Sequence, residues 1–243
     1  MAQTENIFGM HAVLETLKNN SSVQKIYISD SLKADRKKQI LEAAPNIEVE
    51  PVKNSTLDKM SQGQNHQGVM ATIEAYSYAS IDEIFAKAKK QNQDPFIVIL
   101  DEIEDPHNLG SILRTSDAAG VSGIIIPDRR AVQLTPTVAK TSTGAIEHVP
   151  VAKVKNLNNA IDDLKKRGVW IFGTDMNGTK YTQWDAKGPV AIIIGNEGRG
   201  ISPLTKKKVD EMLTIPMVGH VQSLNASVAA ALLIYQGFNS RQK

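Results

Sequence analysis

The strongest pattern in this chain is a set of short, uninterrupted apolar runs in its C-terminal part. A strand that covers a core with one face alternates apolar and polar residues, whereas a continuous apolar run is typical of a strand buried on both faces. The runs cover residues 96–100, 124–126, 169–172 and 190–194, and helical spacing predicts helices at 109–119, 136–143 and 157–167. This alternation predicts an α/β fold with a parallel sheet, in which ligands bind at the carboxyl ends of the strands.

The first 75 residues carry a weaker alternation of the same kind. Helical spacing occurs at 10–19 and 32–44, strand patterns occur at 23–29, 47–52 and 68–75, and Ser55 is predicted to cap a short helix that ends near Met60. A polar stretch with one amphipathic helix, roughly 81–90, follows. We therefore predict a small α/β domain over residues 1–75, a linker over 76–93 and a larger α/β domain over 94–243.

Composition excludes several classes of protein. The 243 residues include no cysteine, which excludes disulfides, thiolate metal sites and cysteine nucleophiles, and the five histidines are scattered without metal-ligand spacing. No stretch approaches the ~20 apolar residues of a membrane helix, and no signal peptide is recognised, so we expect a cytoplasmic protein. A net charge of +2 is weak evidence for a nucleic-acid partner, because such a surface needs clustered Lys and Arg.

The first candidate site follows the apolar run at 96–100. Asn108 lies where the next helix is predicted to begin, and we expect its side chain to cap that helix. Arg114 lies a turn or so further along the helix. A helix N-terminus combined with an arginine suits a phosphate. The structural alternative is a capped helix with a surface arginine.

The second candidate site follows the run at 190–194. Residues 195–201 read Gly-Asn-Glu-Gly-Arg-Gly-Ile, and three glycines allow the backbone to approach a ligand closely. Glu197 lies among them. The segment is neither a dinucleotide fingerprint nor a P-loop, and the chain has no nucleophile elbow of the α/β-hydrolases. A flexible turn is the alternative.

The third candidate covers residues 215–236, where a polar loop leads into an alanine-rich helix that begins near Ala226. Ser223 or Asn225 is predicted to cap this helix. An almost uncharged helix behind a polar loop indicates a buried interface beside a site, although a core helix with an ordinary cap has the same pattern. Elsewhere, His66 is interpreted as a turn residue and residues 206–208 as a solvated helix face.

Together the three segments resemble, in order and spacing, the three motifs of the SpoU branch of the SPOUT methyltransferases. Residues 7–13 and 66–69 are similar to the accessory domain of the bacterial 23S rRNA 2′-O-ribose guanosine methyltransferases, so the resemblance covers nearly the whole chain. The departures are small. Ser116 stands where alanine is commoner, and Gln222 stands where a smaller polar residue is usual.

The resemblance implies S-adenosylmethionine as cofactor, a deep trefoil knot at the C-terminal end of the chain, a homodimer and no metal. It implies cofactor binding by Gly195, Asn196, Gly198, Ile215, Met217 and Leu224, and chemistry by Asn108, Arg114, Glu197, Ser223 and Asn225. Arg114 is the activator of the hydroxyl proposed for the family. Because a guanidinium with a pKa above ~12 is a very poor base, we expect Arg114 to bind the target phosphate and stabilise alkoxide charge, with the proton relayed through that phosphate.

The resulting hypothesis is a two-domain RNA 2′-O-ribose methyltransferase that acts on a guanosine in 23S rRNA. One alternative is ribose methylation of tRNA, which the accessory domain disfavours because the corresponding tRNA enzymes generally lack it. The other is a non-catalytic RNA-binding or ribosome-assembly protein with the same fold. Intact motif residues disfavour that alternative.

Overall fold

The computed structural model describes residues 4–18, 23–61, 63–221 and 223–242, apart from the side chain of Glu5. The chain divides into two compact units, Met1–Ser77 and Tyr78–Lys243. None of the helices in the described ranges is long and apolar enough to cross a membrane.

The N-terminal unit is a four-stranded sheet with three helices. Its elements are β1 (Thr4–Phe8), α1 (Met10–Lys18), β2 (Val23–Ser29), α2 (Ala34–Ala43), β3 (Glu48–Val52), α3 (Asn54–Ser61) and β4 (Val69–Glu74). The sheet order is β1-β4-β2-β3, in which β2 and β3 are parallel and the other pairs are antiparallel. Fully buried Val13, Ile26 and Ile40 bring α1, β2 and α2 into one core.

Most of the predicted elements of this unit are present within two residues of their predicted bounds. Strand β1 was not predicted, because an edge strand with two apolar residues carries little alternation. Ser55 lies inside α3, so its prediction as a cap is wrong. His66 has a structural role in the turn before β4: its Nε2 lies 2.9 Å from Asp58 Oδ1, and its Nδ1 accepts a hydrogen bond from the backbone N–H of Gly68 at 3.0 Å.

The second unit is a six-stranded sheet with helices. Its elements are α4 (Ile81–Lys90), β5 (Phe96–Asp101), α5 (Pro106–Ala118), β6 (Gly123–Pro127), α6 (Pro136–Ser142), β7 (Val151–Val154), α7 (Leu157–Lys166), β8 (Trp170–Lys180), β9 (Val190–Gly195), α8 (Pro203–Lys206), β10 (Glu211–Thr214) and α9 (Ala226–Arg241). The sheet order is β10-β8-β9-β5-β6-β7, and each of these neighbouring pairs is parallel. The predicted parallel α/β fold is confirmed.

The boundary between the units lies two residues beyond the predicted end of the N-terminal domain. Helix α4, predicted within the 76–93 linker, belongs to the second unit because Ile84 is fully buried in its core. Ser80 and Glu83 form a reciprocal capping box at its start. This segment therefore includes a packed helix.

The four apolar runs all form strands, and every residue of β5 is buried. Strands β7 and β10 were not predicted because each has four residues, too few for a recognisable run. Strand β8 continues past its apolar run to Lys180, and this extension pairs with β10. Neighbours β5 and β9 end side by side, with Asp101 opposite Gly195.

Candidate functional site

The loop after β9 is fixed by hydrogen bonds of one asparagine. The side-chain oxygen of Asn196 accepts from the backbone N–H groups of Gly198 and Arg199 at 3.0 and 3.2 Å. Its side-chain nitrogen donates to the carbonyl of Glu102, after β5, at 3.0 Å. Its backbone exchanges two hydrogen bonds with Gly200. The loop is therefore a closed turn that is hydrogen-bonded to the segment after the neighbouring strand.

Glycine is required at the start of this turn by close packing. A Cβ atom on Gly195 would lie 2.3 Å from the backbone carbon of Gly200, which is closer than real contacts allow. Gly200 has a φ of +65°, in the left-handed region that favours glycine. The glycine-rich segment thus has a specific steric reason for its composition.

Three polar side chains from three separate segments meet beside this turn. Oε1 of Glu197 accepts hydrogen bonds from Asn108 Nδ2 at 2.9 Å, from Asn225 Nδ2 at 2.7 Å and from the backbone N–H of Ala226 at 3.0 Å. Asn225 Nδ2 also donates to Asn108 Oδ1 at 2.9 Å. We call Asn108, Glu197 and Asn225 the Glu197 network. It connects α5, the β9 loop and the start of α9.

The structure corrects one expectation about this network. Asn108 does not cap α5, because the helix begins earlier, at Pro106, and Asp105 accepts the N–H of His107 at 2.8 Å. Asn108 is buried in the first turn and directs its side chain to the Glu197 network. The expected cap of α9 is Asn225, whose Oδ1 accepts from the N–H groups of Ser227 and Val228.

A cavity of roughly 430 Å³ opens at the carboxyl end of β9, beside residues 174–176 in the middle of β8. All six residues expected to bind a cofactor line it: Gly195, Asn196, Gly198, Ile215, Met217 and Leu224. Glu197 and Ser223 line it as well. Gln222, noted above as a departure from the motif, lies outside the described residues.

Arg114 lies elsewhere. It is exposed on α5, six residues and about 9 Å along the helix axis from Asn108, and it does not line the cavity. Ser111 and Thr115, on the same stretch of α5, line a second groove together with residues of α9. The structure therefore brings together four of the five residues expected to carry the chemistry and leaves Arg114 apart.

Two charged residues of the cavity form an ion pair that no sequence pattern predicts. Lys206 Nζ lies 2.6 Å from Asp175 Oδ2, and both side chains line the cavity. Residues 206–208 were predicted as a solvated helix face, and two of their lysines are ion-paired but still partly exposed, since Lys208 also pairs with Asp162, at 2.6 Å to Oδ2. Asp175 lies in the unpredicted extension of β8, and the ion pair joins residues 31 positions apart. A single sequence gives no signal for such a pair.

Helix α9 is apolar on more than one side. Leu233 and Ile234 are fully buried, whereas Val228 and Tyr235 are 49% and 44% exposed. The exposed pair lines the groove between α5 and α9 that contains Ser111 and Thr115. This outer surface is apolar although α9 already covers the core with its inner side.

Comparison with known families assigns both units. Residues 95–235 match the model of the SpoU rRNA methylase family, and residues 6–79 match the model of the RNA 2′-O ribose methyltransferase substrate-binding domain. A relative from Bacillus subtilis, named a putative TrmH family tRNA/rRNA methyltransferase, is 47% identical over 242 residues, covering 98% of this chain and 97% of the relative.

Some solved structures match the fold of nearly the whole chain, and others match about two thirds of it. The SpoU methyltransferase AviRb from Streptomyces viridochromogenes, crystallised with AdoMet, has a TM-score of 0.65 at 24% identity and covers 99% of this chain and 91% of its own. The A. aeolicus TrmH/SpoU tRNA modifying enzyme has a TM-score of 0.57 at 28% identity, with 65% of this chain and 84% of its own chain covered. With both family models matched and a full-length relative at 47% identity, the chain belongs to the SpoU/TrmH family of RNA methyltransferases.

Proposed function

We propose that this protein transfers a methyl group from S-adenosylmethionine to a ribose 2′-OH of RNA, and that its substrate is a guanosine in 23S rRNA. The observation that carries the proposal is the Glu197 network, since it joins all three motif segments beside a ligand-sized cavity. Because ribosomal RNA is cytoplasmic in bacteria, the proposed activity implies a cytoplasmic protein.

The cavity fits a nucleoside cofactor in size and lining. Its roughly 430 Å³ falls within the range of about 300–1,000 Å³ typical of small-molecule sites. Apolar Ile194, Ile215 and Leu224 suit an adenine ring, and Gly195 and Gly198 line the cavity without side chains that would fill it. When bound, the cofactor would supply an electrophilic methyl group.

The Glu197 network is suited to positioning. Oε1 of Glu197 already accepts three hydrogen bonds, so this oxygen fixes the start of α9 against α5 and the turn. We assign Asn108, Glu197 and Asn225 to orienting the ribose and the cofactor, and Ser223 to the rim where the two meet. Proton removal is assigned to a phosphate of the RNA beside Arg114, whose guanidinium stabilises developing negative charge.

The position of Arg114 away from the cavity supports a homodimer. The exposed apolar surface of α9 offers a contact for a second copy, and the groove along it includes Ser111, one helical turn from Arg114. We propose that this groove is the dimer interface and that Arg114 acts at the cavity of the partner subunit. We also propose that the C-terminal segment with α9 threads through a loop to form the trefoil knot, beside the β9 loop to which Asn225 is hydrogen-bonded.

Mixed dimers test this arrangement. Arg114→Ala and Glu197→Ala subunits are each expected to be inactive as homodimers. If Arg114 acts across the interface, random mixing restores about a quarter of native activity, because half of the dimers are mixed and each has one intact site. Action of Arg114 within its own subunit would give no restoration, which would contradict the proposal.

The choice of rRNA rests on the N-terminal unit. The tRNA modifying enzyme from A. aeolicus covers 65% of this chain, whereas residues 6–79 here match a substrate-binding domain. Ribose methylation of tRNA is the alternative. The test is transfer of labelled methyl groups to unmodified 23S rRNA and to unmodified tRNA. We expect label in 23S rRNA, and label in tRNA alone would contradict the assignment of rRNA as the substrate. If the protein binds the cofactor but transfers no label to either RNA or to assembling large ribosomal subunits, the result would favour a non-catalytic RNA-binding protein.

A further inference from the structure

We propose that Asp175 and Lys206 form a subsite for the zwitterionic amino-acid end of the cofactor. Asp175 would bind the α-ammonium group and Lys206 the α-carboxylate. The inference rests on the proposed use of S-adenosylmethionine and adds two residues to the six assigned above.

The geometry of the pair suits such a subsite. Lys206 Nζ lies 2.6 Å from Asp175 Oδ2, and the two side chains are 39% and 29% exposed. The other carboxylate oxygen, Oδ1, accepts the backbone N–H of Met176 at 2.6 Å, which fixes its orientation. The hydrogen bond from Lys206 lowers the pKa of Asp175, so the carboxylate is charged at neutral pH.

The remaining charged residues of the cavity are engaged elsewhere. Glu197 bonds within its network, and Arg199 pairs with Glu102 and Glu104, which do not line the cavity. Among the described residues, Asp175 and Lys206 form the ion pair of which both members line the cavity.

The chemistry of the ligand matches this pair. Much of the remaining lining is apolar or glycine, which favours an adenosine group but gives no partner to separate charges. Charged groups that leave water need partners of opposite sign. A ligand that carries an ammonium and a carboxylate on one carbon can align antiparallel to the protein ion pair, so that each charge has an opposite neighbour.

Two ligands that differ in the amino-acid end provide the test. S-Adenosylhomocysteine retains both charges, whereas 5′-methylthioadenosine lacks the amino-acid group. Dissociation constants are measured by calorimetry for the native protein, Asp175→Asn and Lys206→Gln. We expect each variant to raise the dissociation constant of S-adenosylhomocysteine on the order of tenfold, since the ion pair is partly exposed. The dissociation constant of methylthioadenosine should stay within about twofold of the native value, because this ligand lacks the two charges.

A matched control separates recognition from structure. Lys208→Gln breaks a comparable ion pair with Asp162 that does not line the cavity, and should change neither constant. The exchange Asp175→Lys with Lys206→Asp keeps an internal ion pair but reverses its direction, and should not restore affinity.

The opposite results overturn the subsite. The ion pair would have a purely structural role if the single variants lost affinity for both ligands equally. The same conclusion would follow if the exchanged variant recovered the affinity for S-adenosylhomocysteine, or if the single variants bound it as tightly as the native protein does. Absence of binding of both adenosyl ligands to the native protein is a different result. It would refute the cofactor assignment and the subsite with it.

Discussion

Replacing Asn225 with alanine tests whether the Glu197 network holds the start of α9. The native side chain has two functions at once. Its Oδ1 caps α9 by accepting the N–H groups of Ser227 and Val228 at 3.0 and 3.4 Å. Its Nδ2 donates to Glu197 at 2.7 Å and to Asn108 at 2.9 Å. Alanine removes both sets of hydrogen bonds.

The expected loss follows from these contacts. An N-cap contributes about 1 kcal/mol to the free energy of unfolding. A hydrogen bond to a charged group contributes about 1.5–3 kcal/mol, and the lower end applies because Asn225 is exposed. The sum is about 2–3 kcal/mol, which corresponds to a fall in Tm of about 4–12 °C for a unit of this size.

The assay is equilibrium unfolding in urea, followed by tryptophan fluorescence. Both tryptophans, Trp170 and Trp184, belong to the second unit, so the signal reports on the unit that contains the network. Asn225→Ser is the matched control, because its hydroxyl retains a cap acceptor while the donor to Glu197 is lost. We expect Asn225→Ser to lower the free energy of unfolding by about half as much as Asn225→Ala does.

A third variant tests the charge of the network. Asn225→Asp keeps a cap acceptor but replaces the donor to Glu197 with a second carboxylate, and like charges at this distance repel each other. We therefore expect Asn225→Asp to have a lower free energy of unfolding at neutral pH than Asn225→Ser, which keeps the cap without the added charge. The account is refuted if Asn225→Ala unfolds within about 0.5 kcal/mol of the native protein, the range of substitutions that break no such contact.

Three further predictions concern single side chains of the second unit. Ser116 is fully buried and its hydroxyl has no hydrogen-bond partner among the described residues, so Ser116→Ala should raise the free energy of unfolding in urea by about 1 kcal/mol, and a lower value would contradict the prediction. Gly195→Ala should abolish adenosyl-ligand binding in calorimetry, because its Cβ would overlap backbone at 2.3 Å. Gly219→Ala, whose Cβ would meet no described atom within 4 Å and which does not line the cavity, should retain binding, and equal loss in both would refute the steric argument. Lys206→Gln should reduce the free energy of unfolding at pH values above 3.8, the ordinary pKa of Asp175, because the hydrogen bond from Lys206 lowers that pKa in the folded state. The difference from native should shrink below pH 3.8 and disappear as the pH falls through the lower pKa of the folded state, and a difference that persists in acid would contradict the ion pair.

The fold was largely predictable because burial dominates its sequence pattern. The runs that form β5 and β9 are apolar throughout, and a strand buried on both faces needs that composition. Strands β7 and β10 were missed because they are short and their pairing is decided by tertiary contacts. The edge strand β1 was missed for a related reason, since an edge position requires few apolar residues.

The site was predictable where local chemistry fixes the residue. The glycines of the β9 loop and the cap of α9 at Asn225 are requirements of backbone geometry and can be read along the chain. The cap of α5 was misassigned because Asn108 has the right chemistry for a cap, yet Asp105 and Pro106 form an earlier start. The pairing of Asp175 with Lys206 depends on how β8 and α8 pack, which no local pattern encodes.

The central claim is methyl transfer to a ribose hydroxyl, and alkaline hydrolysis of the product tests it most directly. Unmodified 23S rRNA is incubated with the protein and labelled S-adenosylmethionine and is then hydrolysed in alkali. A methylated 2′-OH cannot attack the adjacent phosphate, so the account predicts label in alkali-resistant dinucleotides, and no label when Arg114→Ala replaces the native protein. Label released as mononucleotides would mean that a base is methylated, and would contradict the account.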